Sequence, residues 1–172
     1  IITGSFGDPV YVTAAQVTDM YSRGHEIASH TRTHADLTSL STADATTEIA
    51  GSKSDLEALG VPVTSFVYPY GKWNDSVASI VKGAGYKGSR ISDSGENTPT
   101  SDPYILLGLS VESTTTFEQV KAWIDSAVAD KAWAILILHQ QSTSGGQYSN
   151  SPALLQQIVN YVKSGGVKTV TL

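Results

Sequence analysis

Cysteine does not occur anywhere in the 172 residues. That excludes disulfides, thiolate zinc sites and a cysteine nucleophile, and leaves the compartment open. Long hydrophobic runs are also missing. The longest, Ala132 to Leu138, falls far short of the roughly 20 residues that cross a bilayer, so no membrane span is expected. Basic clusters are missing as well: 11 Lys and Arg stand against 16 Asp and Glu, for a net charge of −5. A chain without a Lys/Arg patch does not neutralise phosphates, so nucleic acid is not an expected partner. Lysine is scarce while Ser, Thr and Gly are plentiful. That balance favours an extracellular or cell-surface setting. The chain opens mid-pattern at Ile1-Ile2, as it would if a leader had been removed.

What remains is ordinary globular material: 40% hydrophobic and 16% charged residues, enough for one domain over residues 1–172. Strand-like and helix-like stretches alternate. Val10–Val12, Glu26–Ala28, Thr64–Tyr68, Tyr86–Gly88, Ile105–Leu109, Ala134–Leu138 and Val167–Leu172 read as strands. Ala14–Arg23, Thr42–Leu59, Asn74–Lys82, Phe117–Ala129 and a segment from Pro152 to Lys163 read as helices, with Thr13 and Asn74 as caps and Gly24, Gly60 and Gly165 as stops. Residues 90–103 and 140–150 read as polar loops. Repeated strand–helix units predict a parallel sheet, open or closed into a barrel.

Ligands of parallel α/β folds gather where strands end. Three polar segments sit there: Ser29-His30-Thr31-Arg32-Thr33-His34, Tyr68-Pro69-Tyr70-Gly71, and His139 after an apolar strand. Two imidazoles four residues apart on one helical turn share a face and can grip one ion. Two solvated or hydrogen-bonded histidines give the same text. Thr31 follows His30 where a zincin-type protease has its glutamate, so that class is disfavoured. Asp36 either orients an imidazole from behind or caps a turn. His139 is a proton donor or acceptor, or a satisfied structural histidine. The Pro69–Gly71 turn presents backbone N–H groups to a developing oxyanion, or is a plain strand-to-helix turn.

In this order, RGHEIASHTRTHADLTSLS, SFVYPYG and LILHQ resemble the polysaccharide deacetylase family, carbohydrate esterase family four, over essentially the whole chain. The resemblance implies an α/β fold, a distorted and incomplete (β/α) barrel. It implies metal-dependent removal of acetyl groups from an N-acetylated or O-acetylated glycan: chitin-like, peptidoglycan or xylan. By resemblance His30 and His34 are ligands of a divalent metal, usually zinc, with cobalt or another transition metal as substitutes. His139 is the general acid, Tyr70 lends its N–H to the oxyanion, and Thr31 holds the loop. His25 has a structural place. Ile137 lines an acetyl pocket or belongs to the core.

Two departures matter. The family's first strand ends in a Thr-Phe-Asp-Asp type motif that supplies the base and the third ligand. This sequence has no such motif, and Asp8 stands in a Gly-Asp-Pro turn unlike it. The expectation is therefore a piece of a longer protein whose first strand is missing, or a strand-swapped partner that completes it. Many members also carry Arg before Pro-Tyr-Gly, where this chain has Val67. Arg90 is the candidate replacement, and Asp93 a candidate partner for His139. The readings from other classes are a C–N hydrolase on a small amide and a non-catalytic glycan-binding domain. In the second, Gln147, Tyr148 and Trp73 would meet the sugar.

Overall fold

The computed structural model describes residues 1–143 and 145–172; Ser144, in the polar loop expected over 140–150, lies outside the described residues. The chain divides into two compact units. The first comprises Ile1–Ile91, Asp102–Leu106 and Thr171–Leu172; the second comprises Ser92–Ser101 and Leu107–Val170.

In the first unit, α1 (Ala14–Ser22) opens on a reciprocal cap: the Thr13 hydroxyl accepts from Gln16 N–H, and Gln16 returns a carboxamide oxygen to Thr13 N–H. α2 (Thr42–Glu57) is capped by Ser41 and buries Ala45, Ile49, Ser52 and Leu56, one stripe at helical spacing. β1 (Ser65–Val67) pairs in parallel with β2 (Gly88–Ser94, its last three residues in the second unit), Val67 lying opposite Arg90. Between them α3 (Asp75–Gly83) starts at the Asn74 cap and buries Val77 and Val81. Phe66 packs its ring against Tyr68 and Tyr86, at 5.3 and 5.2 Å.

The second unit holds β3 (Leu106–Ser110, its first residue in the first unit), α4 (Phe117–Asp130), β4 (Leu136–Ile137) and α5 (Pro152–Ser164). β3 pairs in parallel with β4. Val111, Val120, Ile124 and Ile158 form its core, flanked by Phe117, Trp123 and Leu136. Parallel strands linked through helices make the fold α/β, as the alternating pattern requires.

Several strands differ from expectation. Val10–Val12 is not a strand. Asp8 Oδ1 accepts the Val10 N–H at 2.9 Å, and this side-chain turn wins over β-propensity, leaving Val10 85% exposed. Glu26–Ala28 forms no strand; the next residue, Ser29, makes an isolated parallel bridge to Phe66. β2 begins where the expected Tyr86–Gly88 strand ends and runs into the expected loop. Its sequence, Gly-Ser-Arg-Ile-Ser-Asp-Ser, is too polar to announce a strand, yet Ser89 and Ile91 are buried. The loop after His139 contains a short parallel ladder, β5 (Gln140–Gln141) with β6 (Ser149–Asn150). Val167–Leu172 forms no strand; its end is held by Leu172 N–H on Glu26 Oε2 at 2.7 Å.

Candidate active site

His30 is placed by backbone pairing. Ser29 N–H donates to Ser65 O at 3.0 Å, and Val67 N–H donates to Ser29 O at 2.9 Å. That registers residue 30 beside Val67, whose carbonyl lies 2.8 Å from His30 Nδ1. With the proton on Nδ1, Nε2 keeps its lone pair, the arrangement metal-binding imidazoles usually have. Burial lowers the His30 pKa to about 4, with the neighbouring His34 adding to the effect. The ring is therefore neutral at pH 7 and able to donate electrons.

The segment after His30 turns back instead of continuing as a helix. Thr31 and His34 both have left-handed backbones, at φ 68° and 61°. For a β-branched threonine this is strain of order 1–3 kcal/mol. The turn brings the two imidazoles together edge-on, with centroids 4.6 Å apart, and the Tyr70 ring lies 4.6 Å from His34. The pairing expected from helical spacing is achieved by a turn. Burial also lowers the His34 pKa.

Contacts from α2 hold this turn, and the sequence reading missed them. Glu48 Oε2 accepts the Arg32 and Thr33 N–H groups, both at 2.9 Å, and Glu48 Oε1 accepts the Thr33 hydroxyl at 2.8 Å. The buried Thr31 hydroxyl accepts the His34 N–H at 2.9 Å. Arg32 forks onto Asp55 at 2.8 and 2.7 Å. The available signal was spacing: Glu48 and Asp55 stand seven apart, two turns along one helix face.

Arg90, opposite Val67 in the ladder, lines a cavity of about 350 Å³ with His30, His25, Glu26 and Val67. His30 and Arg90 thus flank Val67 from neighbouring segments. Arg90 is half-buried, and burial lowers its pKa to about 10. It remains a cation at pH 7. Among the described residues it forms no ion pair.

Tyr70 sits in the Pro69–Gly71 turn with φ 59°, its side chain largely exposed. Asp36 does not face an imidazole. It caps the turn at Thr38 and pairs with Lys72 at 2.6 Å, which lowers its pKa. Trp73 lines a separate cleft of about 530 Å³ beside Asp75, Lys82 and Tyr104.

His139 belongs to the second unit, its ring 5.0 Å from that of Tyr148. Ile137 is buried beneath Gly108, where an added Cβ would meet its Cδ1 at 2.5 Å. Asp93 is exposed on β2.

Neutral, oriented imidazoles are borderline donors that suit zinc, cobalt or nickel. The pair offers two such nitrogens. Among the described residues no group of three His, Cys, Asp or Glu completes a site.

Among curated proteins none matches this chain. Solved structures do. One is a polysaccharide deacetylase from Bacillus cereus, 26% identical, covering 70% of this chain and 39% of its own, with TM-score 0.65. Another is the Streptococcus pyogenes deacetylase PplD in complex with acetate, 26% identical, covering 70% and 55%, with TM-score 0.67. The Xyl-CE4 domain of a multidomain xylanase, from the hindgut metagenome of Trinervitermes trinervoides, shares the fold over 97% of this chain at 20% identity and TM-score 0.60. The chain spans about 39% and 55% of the length of the first two. The fold class is that of these deacetylases, as the resemblance implied. The polysaccharide deacetylase family model matches residues 2–89, half of the chain, and the chain belongs to that family.

Proposed function

We propose that this protein removes acetyl groups from a glycan, with a divalent metal held by His30 and His34. The observation that carries the reading is the imidazole pair, centroids 4.6 Å apart, with His30 Nδ1 on the Val67 carbonyl. Zinc is the expected ion, and cobalt or another transition metal would substitute. When bound, such an ion polarises an acyl carbonyl and lowers the pKa of water at its open position. The chain's own residues do the remaining work. His30 and His34 present neutral nitrogens. Tyr70 donates its backbone N–H to the oxyanion. His139 gives a proton to the departing amine or alkoxide. Arg90 stabilises a carboxylate base in the cavity it shares with His30. That base and a third ligand are carboxylates beyond the imidazole pair.

The substrate is an acetylated polysaccharide: chitin-like, peptidoglycan or xylan. Encountering such a polymer places the protein outside the cell or on its surface. The relatives named for deacetylase activity support the reaction type.

The test is acetate release from acetylated chitooligosaccharides, peptidoglycan fragments and acetylxylan by the full-length protein, with and without zinc. Release that requires zinc and disappears in His30→Ala supports the reading. Zinc-loaded, full-length protein that binds these glycans and frees no acetate from any of them would establish a glycan-binding domain instead. Release confined to small non-sugar amides would make it a C–N hydrolase.

A further inference from the structure

We propose that α2 carries a preformed cradle for the imidazole pair, and that Glu48 is its positioning residue. The role assigned to the pair rests on the metal-dependent reading above; the cradle itself rests on geometry. Three successive amides of the 30–34 turn, those of Arg32, Thr33 and His34, donate to side-chain oxygens. Glu48 takes two of them, from Arg32 and Thr33, on one carboxylate oxygen. Its other oxygen takes the Thr33 hydroxyl. The third amide, of His34, goes to the Thr31 hydroxyl. A carboxylate receiving amide hydrogens makes strong, charge-assisted bonds. These bonds hold the backbone where it is least willing to stay, at the left-handed Thr31 and His34.

Gly51 and Asp55 complete the cradle. Residues 48, 51 and 55 lie on one stripe of the helix. A Cβ at Gly51 would sit 2.5 Å from Arg32 Cζ, so the guanidinium that crosses α2 to reach Asp55 would have to shift aside for any larger residue there. Asp55 also accepts the Thr3 hydroxyl at 2.7 Å, which fixes the carboxylate that Arg32 meets. Glu48 touches neither imidazole ring. It acts through the turn: with the turn held, the two rings stay in edge-on contact before any ion arrives. The entropy of bringing them together is then spent during folding rather than at binding.

The experiment uses Glu48→Ala, Glu48→Gln and Gly51→Ala in the full chain. Circular dichroism checks the fold. Two readouts then separate positioning from plain stability. The first is the ring–ring nuclear Overhauser effect between His30 and His34 in metal-free protein, strong in wild type. It should weaken or vanish in folded Glu48→Ala and survive in part in Glu48→Gln, which keeps one acceptor oxygen. The second is zinc affinity, expected to fall on the order of tenfold or more in Glu48→Ala, less in Glu48→Gln. If Glu48→Ala does not fold, Glu48→Gln and Gly51→Ala carry the comparison. A folded variant with the wild-type ring contact and wild-type zinc affinity would overturn the proposal. If wild type binds no zinc, the metal reading falls, and the ring contact alone decides whether the cradle exists.

Discussion

His30 draws its chemistry from neighbours distant in sequence. The Val67 carbonyl fixes its tautomer, and burial keeps it neutral. His30→Ala should lose zinc affinity and acetate release together. His139→Ala should leave zinc affinity intact and lower turnover on the order of 100-fold or more, as removal of a general acid does. Isothermal titration alongside an acetate assay separates the two; equal zinc affinity in wild type and His30→Ala would refute the ligand role. The same burial predicts a pH effect on metal-free protein. A free imidazole titrates near 6.5, and His30 near 4. Between these values the unfolded chain binds more protons than the folded one. Stability from this group is therefore complete above about 6.5 and falls as pH drops through that window toward 4. The lowered His34 pKa acts in the same direction. Urea unfolding at several pH values should show a shallower decline in His30→Gln than in wild type. Parallel profiles would count against a buried, neutral His30.

At the scale of elements, helix ends were legible because they are local. Thr13, Asn74 and the Pro152 start are set by residues within three or four positions. Thr116 closes a second reciprocal cap with Gln119 at the start of α4. Thr116→Ala should cost about 1 kcal/mol of stability by chemical denaturation, and no loss would mean that the cap is frayed in solution. Strands were less legible. β2 is polar in text and earns its pairing from β1, with Ser65 opposite Gly88 and Val67 opposite Arg90. Val10–Val12 has the right residues for a strand and is lost to a turn begun by Asp8. α2 shows a conflict between scales. Gly51→Ala gains up to about 1 kcal/mol in helix propensity, yet its Cβ makes the Arg32 guanidinium shift from its place on Asp55. Thermal melts should show that gain missing or reversed. A full gain would mean that Arg32 leaves Asp55 without penalty.

For the whole molecule, the net charge of −5 bears on which glycan is approached. A neutral polymer meets no long-range field, whereas an anionic one is repelled, and salt screens that repulsion within about 10 Å at 0.1 M. Acetate release from anionic peptidoglycan fragments should therefore rise with added salt, while release from chitooligosaccharides stays flat. The opposite ranking would point to a local basic surface overriding the net charge. Among the described residues no helix is long and apolar enough to cross a membrane.

Composition, caps, helix spans and the three polar segments were decided by the sequence alone, because each depends on residues close along the chain. So was the choice of His30, His34, Tyr70 and Arg90 as candidates. The tertiary structure decided how they act. It replaced an expected helical face with a left-handed turn, placed Arg90 and His30 on either side of Val67, and sent Asp36 to Lys72. It also brought Glu48 and Asp55 under the turn from a helix that begins eight residues after His34. Such contacts join positions 15 to 60 residues apart, and no periodicity records them: they exist only once β1, β2 and α2 have packed.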